Sequence, residues 1–239
     1  MRLYRDHGIV LRSHKLGEAD RIVVFMTAGR GKVRAVAKGV RKTKSRFGGR
    51  LEPPSHLALQ LYEGRDLDTV TEVSSVDHFR PLHDDLGRLS DALALVEAVD
   101  QVASERHADL PLYQMLLAAL RTLAQRPSPL LVAGFYWKLI ALDGAGPRLD
   151  CCARCESGDV ALVAFDQVQG GALCRSCRSG LALSPEALVL MRRILGGDLA
   201  GALRQPAGPV ASEVAELATR SLECHLERRL RVTPLFERR

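Results

Sequence analysis

Short runs of alternating apolar and polar residues fill the first 80 residues of the chain. Valine, isoleucine and leucine dominate five such runs, and turns that contain glycine separate most of them. Alternation with a period of two is typical of β-strands that turn one face toward a core. The predicted strands are residues 7–14, 21–28, 32–40, 56–62 and 67–79. Five strands in about 80 residues have the size of a small closed barrel.

After Pro81 the apolar residues recur at spacings of three and four, which predicts amphipathic helices. Several starts are marked by a serine N-cap or by a proline in the first turn. The predicted helices cover residues 89–103 and 112–123 and begin at Ser128, Ser184 and Pro209. We therefore expect an α+β protein of several domains, in which a cysteine-rich segment interrupts an all-α region.

Two Cys-x-x-Cys pairs lie in that segment, with 18 residues between them. A turn of this kind presents two thiolates on one side of a metal ion, and two such turns complete a tetrahedron. All four ligands would come from the protein, so we predict one structural Zn²⁺ per chain. The predicted ligands are Cys152, Cys155, Cys174 and Cys177. Two disulfides are the weaker alternative, because cytosolic thiols stay reduced.

The remaining cysteines and histidines carry less information. Cys151 could replace Cys152 as a ligand, and Cys224 falls on the last predicted helix, where a small buried side chain is expected. A catalytic zinc of the deaminase type is disfavoured, because the only His-x-Glu, residues 225–227, follows both cysteine pairs. The chain also lacks a Walker A loop, G-x-S-x-G and H-E-x-x-H. We predict a binding protein that is not an enzyme and uses no nucleotide.

The charge is concentrated at the N-terminus. The chain carries a formal net charge of +6, yet residues 1–50 hold 14 Lys and Arg against three acids. Lysines and arginines without nearby acids, on a strand and the loop after it, indicate a surface that binds a polyanion. A solvated charged face with no ligand is the alternative. Five strands with a basic face predict an oligonucleotide-binding (OB) barrel. The candidate DNA-binding residues are Lys32, Arg34, Lys38, Arg41, Lys42, Lys44 and Arg46.

Composition limits the other classes. Hydrophobic residues make up 46% and charged residues 26% of the 239, which is ordinary for a globular protein. No apolar run approaches 18 residues, and the N-terminus lacks the apolar stretch of a signal peptide. We expect a cytoplasmic protein with no membrane contact. The predicted domains are an OB barrel at 1–80, a helical domain at 81–150 and 181–239, and a zinc module at 151–180.

Several N-terminal motifs resemble those of the RecO family of bacterial recombination mediators. They are GIVL at 8–11, GEAD at 17–20, AKGVR at 37–41, SRF at 45–47 and Leu51. The resemblance also covers the order of parts along the whole chain. It implies binding to single- and double-stranded DNA, annealing of complementary strands, and help in loading the RecA recombinase at the nucleoid. The implied partners are RecR and the C-terminal tail of single-strand-binding protein.

Two alternatives stay open. An RNA-binding or ribosome-associated module could use the same barrel, because the residues do not separate DNA from RNA. A zinc enzyme acting on nucleic acid would need an open metal site, and four thiolates argue against one. For the tail of single-strand-binding protein, an apolar patch beside Arg121 or Arg126 is a candidate position.

Overall fold

The computed structural model describes residues 2–42, 45 and 47–232. The chain divides into two compact units, Met1–Arg126 and Pro127–Arg239. Within the described residues, no helix is both long enough and apolar enough to cross a membrane.

Five strands of the first unit form a closed barrel, which confirms the predicted architecture. They are β1 (Leu3–Leu16), β2 (Asp20–Thr27), β3 (Gly31–Ala37), β4 (His56–Tyr62) and β5 (Asp68–Asp77). Their order around the barrel is β1-β2-β3-β5-β4, and only the β3–β5 pair is parallel. β1 begins at Leu3 rather than at residue 7, and β3 ends at Ala37 rather than at residue 40.

Alternation along β3 shows how the sequence builds the barrel. Val33, Ala35 and Ala37 are buried, whereas the residues between them are partly exposed. A register shift in β1 between Val10 and Arg12 adds the local bend that a small barrel needs. The interior cluster consists of Val10, Val23, Phe25, Ala35, Ala37, Phe47, Leu51, Leu57, Leu59, Leu61 and Val70.

In the described part of the first unit, the α-helices are α1 (Arg80–His83), α2 (Leu86–Val102) and α3 (Leu110–Gln125), and a 3₁₀ helix covers Gly48–Leu51. Asp85 caps α2, because its side chain accepts a hydrogen bond from the N–H of Arg88. Asp109 caps α3 in the same way by accepting from the N–H of Leu112. The helix α2 packs on β1, so these helices share a compact unit with the barrel. The division into three domains at residues 80, 150 and 180 stays a prediction.

The second unit combines helices with a small sheet. Its helices are α4 (Leu131–Leu142), α5 (Pro185–Leu195), α6 (Leu199–Ala202) and α7 (Pro209–His225). The strands β6 (Leu162–Asp166), β7 (Gly171–Cys174) and β8 (Leu181–Ala182) form a sheet in the order β7-β6-β8. These strands were not predicted from the sequence, and they have only five, four and two residues.

The start of α4 differs from the prediction. Ser128 is not its N-cap, because a turn comes first and the helix begins at Leu131. The Ser128 hydroxyl accepts a hydrogen bond from the N–H of Leu130 at 3.3 Å and so stabilises this turn. Ser184 does cap α5, since its hydroxyl accepts from the N–H of Ala187 at 3.2 Å. α4 packs against α5 and α7, and most of its side chains are buried.

Candidate functional site

Four cysteine sulfurs meet in the second unit. The thiols of Cys152, Cys155, Cys174 and Cys177 all lie within 4.8 Å of one another. The Sγ atoms of Cys155 and Cys174 are 3.9 Å apart, far beyond the length of a disulfide. Four sulfurs at 2.3 Å from a tetrahedral metal ion are about 3.8 Å apart. The cluster therefore has the dimensions of a four-thiolate metal site.

Backbone hydrogen bonds hold the two cysteine turns together. The N–H of Ala153 donates to the carbonyl of Ala172 at 2.8 Å, which joins the first turn to β7. The N–H of Cys174 donates to Cys152 Sγ at 3.4 Å. The strand β7 ends at Cys174, and a 3₁₀ turn over Arg175–Cys177 presents the fourth thiol.

The electrostatics of the cluster suit a cation. Backbone N–H groups, that of Cys155 first among them, lower the pKa of Cys152 to about 6. The Ser157 hydroxyl lowers the pKa of Cys155. Burial and the neighbouring thiols raise the pKa of Cys177 to about 12, because negative charge gathered in one place is costly. A bound divalent ion offsets that cost, so the four cysteines can hold a metal ion.

The structure distinguishes the roles of Cys151, Cys152 and Cys224. Among the described residues, the cluster contains Cys152 and not Cys151. Cys152 is buried and Cys151 is half-buried. The expectation for Cys224 was wrong, because this thiol at the end of α7 is exposed.

Three of the candidate DNA-binding residues lie on an exposed loop at the end of β3. Lys38, Arg41 and Lys42 are exposed there, and Gly39 adopts the left-handed conformation (φ 69°) that closes the turn. The Gly39 N–H donates to Asp20 Oδ1 at 2.7 Å. Lys44 and Arg46 lie outside the described residues. The loop therefore presents cations from a backbone that is tied to the start of β2.

Arg41 fixes the same loop to the turn between β1 and β2. Its N–H donates to the carbonyl of Ala19 at 2.9 Å, and its guanidinium donates to the carbonyl of Gly17 at 3.3 Å. Arg41 nevertheless remains an exposed residue. A charge held in place loses less entropy when it meets a phosphate.

Lys32 and Arg34 lie elsewhere, on the outer face of β3 against the chain that follows α2. The Lys32 side chain is 12% exposed, and its ammonium donates to the Asp100 carbonyl at 2.7 Å. Burial lowers the pKa of Lys32. Arg34 Nη1 lies 3.7 Å from Glu105 Oε1 and stays 41% exposed. The structure therefore favours a structural role for Lys32.

The basic residues of β1 were not among the predicted DNA-binding residues. Arg12 and Arg34 both pair with Val24 of the strand between them, so the register places the two arginines on one face. Arg12 Nε lies 2.5 Å from Asp100 Oδ2, and its Nη1 lies 2.7 Å from His14 Nε2. The alternation of Arg12 and His14 along β1 was the available signal.

These features define a class of protein. A closed five-stranded OB-like barrel with an exposed basic loop is followed by a helical region with a cluster of four cysteines that could hold a metal ion, as is typical of nucleic-acid-binding proteins. Residues 1–79 match the family model for the recombination protein O N terminal, and residues 83–234 match that for its C terminal. The chain belongs to the RecO family.

Family membership confirms the resemblance seen in the N-terminal motifs. It supports a role in DNA repair and recombination and so disfavours the RNA-binding alternative. RecO proteins bind DNA and act as recombination mediators rather than as known enzymes.

Proposed function

We propose that this protein is a recombination mediator that binds single- and double-stranded DNA, anneals complementary strands and helps to load RecA onto DNA coated with single-strand-binding protein. It acts without nucleotide hydrolysis, together with RecR, in the bacterial cytoplasm at the nucleoid. The observation that carries the proposal is the family match over both units, combined with a basic loop on the barrel.

The proposed DNA surface centres on Lys38, Arg41 and Lys42, with Arg34 at its edge and Lys44 and Arg46 continuing it along the chain. Lys32 supports the strand beneath. Each exposed lysine or arginine that contacts a phosphate releases condensed counterions, so the affinity for DNA falls as the salt concentration rises. Neutralising phosphates on two strands also lowers the repulsion that opposes their approach, and base pairing then supplies the free energy of annealing.

The metal proposed for the cysteine cluster is one structural Zn²⁺ per chain. Thiolates are soft ligands that select zinc in four-coordinate sites, and no ligand position is left for water or substrate. Cys152, Cys155, Cys174 and Cys177 would hold the ion. The ion would have a structural role, because its bonds to the four sulfurs would hold the two cysteine turns together.

The proposed contact with the tail of single-strand-binding protein stays near α3. Arg121 is exposed on that helix, and Arg126 is exposed directly after it. Either guanidinium can pair with a carboxylate of an acidic tail.

The test is annealing of complementary strands that are precoated with single-strand-binding protein, without ATP and across a salt series. The variant is the triple charge reversal Lys38→Glu, Arg41→Glu and Lys42→Glu. The matched control reverses three other exposed arginines and so changes the net charge equally; it carries Arg65→Glu, Arg80→Glu and Arg204→Glu.

We expect the loop variant to lose annealing and most DNA affinity, with a shallower salt dependence, while the control keeps both. Equal losses in the two variants would show that bulk charge matters and the loop does not. Normal DNA affinity of the loop variant would overturn the proposed surface. Tighter binding to RNA than to DNA in direct competition would overturn the proposed substrate.

A further inference from the structure

A cavity of about 140 Å³ lies inside the second unit, and none of the four clustered cysteines lines it. α4, the residues after it, the β6–β7 hairpin and α7 form its walls. The lining residues that matter here are Trp137, Ile140, Pro147, Phe165, Gln167 and Ser221.

Three polar side-chain atoms of this lining lack hydrogen-bond partners. They are Trp137 Nε1, Gln167 Nε2 and Ser221 Oγ, and no atom of the described residues pairs with any of them. Trp137 is 0% and Ser221 9% exposed, so bulk water does not satisfy them. Buried polar groups without partners are uncommon in native proteins, and each one costs free energy. Three of them around one cavity point to a bound group that accepts hydrogen bonds.

The donors are neutral, which limits the chemistry of that group. The indole only donates, and the amide and hydroxyl can both donate. The titratable lining residues are the Cys224 thiol and His225, and His225 Nε2 already lies 2.6 Å from Asp143 Oδ2. A carboxylate or phosphate buried without a counterion is costly, whereas a neutral carbonyl oxygen is not. Ile140, Pro147 and Phe165 add apolar walls.

The volume sets the size of the ligand. An engineered apolar cavity of about 150 Å³ holds one benzene molecule. A cavity of about 140 Å³ therefore holds one six-membered ring. Among the bases of DNA, the flat ring of this size that carries carbonyl acceptors is a pyrimidine, and a purine is larger by a second ring.

An adjoining groove carries positive charge at the place where the sugar-phosphate backbone of a bound strand would lie. It measures about 400 Å³ and shares Gln167 and Cys224 with the cavity. Arg220, Arg228 and Arg229 line it, together with Glu223 and Glu227. Arg220 Nη2 also lies 2.7 Å from Glu216 Oε1, so a phosphate would share this guanidinium with a carboxylate. Guanidinium groups pair with phosphate oxygens in bidentate geometry.

We propose that the cavity receives a pyrimidine base and that the arginine-lined groove receives the adjacent phosphates, so that the second unit holds an unstacked nucleotide of single-stranded DNA. This inference rests on the proposed DNA binding. The shared chemistry is the pyrimidine carbonyl, which a free nucleoside also carries. Taking a base out of the stack is least costly on a single strand.

The test uses the single tryptophan of the full-length, metal-loaded protein. In a ¹⁵N-labelled sample, Trp137 gives one indole N–H signal, which moves when its proton enters a hydrogen bond. The probes are oligo(dT), an abasic oligonucleotide of equal length, oligo(dA) and thymidine. We expect a saturable shift with oligo(dT) and none with the abasic strand.

Ser221→Ala removes one donor, and Ser212→Ala on the exposed face of α7 is the matched control. We expect Ser221→Ala to weaken oligo(dT) binding about fivefold and to leave binding of the abasic strand unchanged. Ala145→Leu, which narrows the mouth from an exposed position, gives a second variant with the same expected pattern.

The outcomes separate this inference from the proposed function. If neither oligo(dT) nor thymidine shifts the Trp137 indole signal while DNA binding is intact, the cavity does not bind a base. The proposed DNA surface on the barrel is unaffected by that result. A shift with thymidine alone assigns the cavity to a free nucleoside and overturns the DNA source. An equal shift with oligo(dA) overturns the pyrimidine assignment.

Discussion

Replacing Asp100 tests whether Lys32 belongs to the fold or to the DNA surface. Asp100 is 7% exposed, and its carboxylate lies 2.5 Å from Arg12 Nε and 3.9 Å from Lys32 Nζ. Burial lowers the pKa of Lys32, and the Asp100 charge opposes this shift. The carboxylate is therefore the counterion that lets the ammonium stay charged against α2.

The size of the effect follows from this geometry. Removing one partner of a buried ion pair costs about 3–5 kcal/mol. Asp100→Asn should cost less, about 2 kcal/mol, because Arg12 is 47% exposed and Lys32 keeps its bond to the main-chain carbonyl. Lys32→Met should cost about 1 kcal/mol, because Arg12 still neutralises Asp100. The double variant should lose less than the sum, with a coupling of about 1 kcal/mol.

The assay is urea unfolding followed by circular dichroism. With a denaturant slope of about 2 kcal/mol per molar, Asp100→Asn should lower the midpoint by about 1 M. DNA affinity is measured on the same proteins, with Lys42→Met as the matched loss of an exposed lysine. We expect Lys32→Met to keep its affinity and Lys42→Met to lose several-fold. A structural role for Lys32 is refuted if Lys32→Met weakens DNA binding as much as Lys42→Met and leaves the unfolding midpoint unchanged.

Three further predictions concern the fold and the metal. Gly31→Ala should destabilise the first unit by more than about 2 kcal/mol in urea, because φ is 66° and the new Cβ would lie 1.7 Å from the His107 carbonyl oxygen; an unchanged midpoint contradicts this. Burial lowers the pKa of His56 from 6.5 to about 4, so below pH 6.5 the unfolded chain takes up a proton that the folded chain does not. Stability should fall by about 2 kcal/mol from pH 7 to pH 5, and a His56→Gln variant with the same pH dependence would disprove the assignment. Cys155→Ser should abolish stoichiometric zinc binding measured by mass spectrometry, whereas Cys151→Ser should retain one ion per chain.

Features that depend on neighbouring residues were predictable from the sequence. The strands of the barrel follow from local alternation, and the cluster of four cysteines follows from two short Cys-x-x-Cys turns. The turn before α4 was missed because Ser128 and a following proline also suit an isolated turn. The strands β6 to β8 were missed because two to five residues are too few for a period to show.

Ion pairing between distant residues was not predictable. Lys32 and Asp100 are 68 positions apart, and only the packing of α2 on the barrel brings them together. From the sequence alone, every lysine and arginine between residues 30 and 50 therefore appeared to lack an acidic partner. The register separates them, because Lys32 lies under the chain after α2 while Lys38 and Lys42 extend beyond the strand. The buried donors around the cavity carry no sequence signal either, since tryptophan, glutamine and serine are common in satisfied positions.

The four-cysteine cluster and the cavity share one hairpin, so we expect a metal ion in the cluster to affect the cavity. β7 ends at Cys174 of the cluster, and the turn before β7 carries Gln167 of the cavity. Arg148 clamps the hairpin, because its N–H donates to the Gly170 carbonyl and its carbonyl accepts from Ala172, each at 2.9 Å. Loss of the metal would loosen β7 at its end and displace the Gln167 amide. Chelation should therefore weaken binding of oligo(dT) more than binding of an abasic strand, and an equal effect on both would show that the cluster does not shape the cavity.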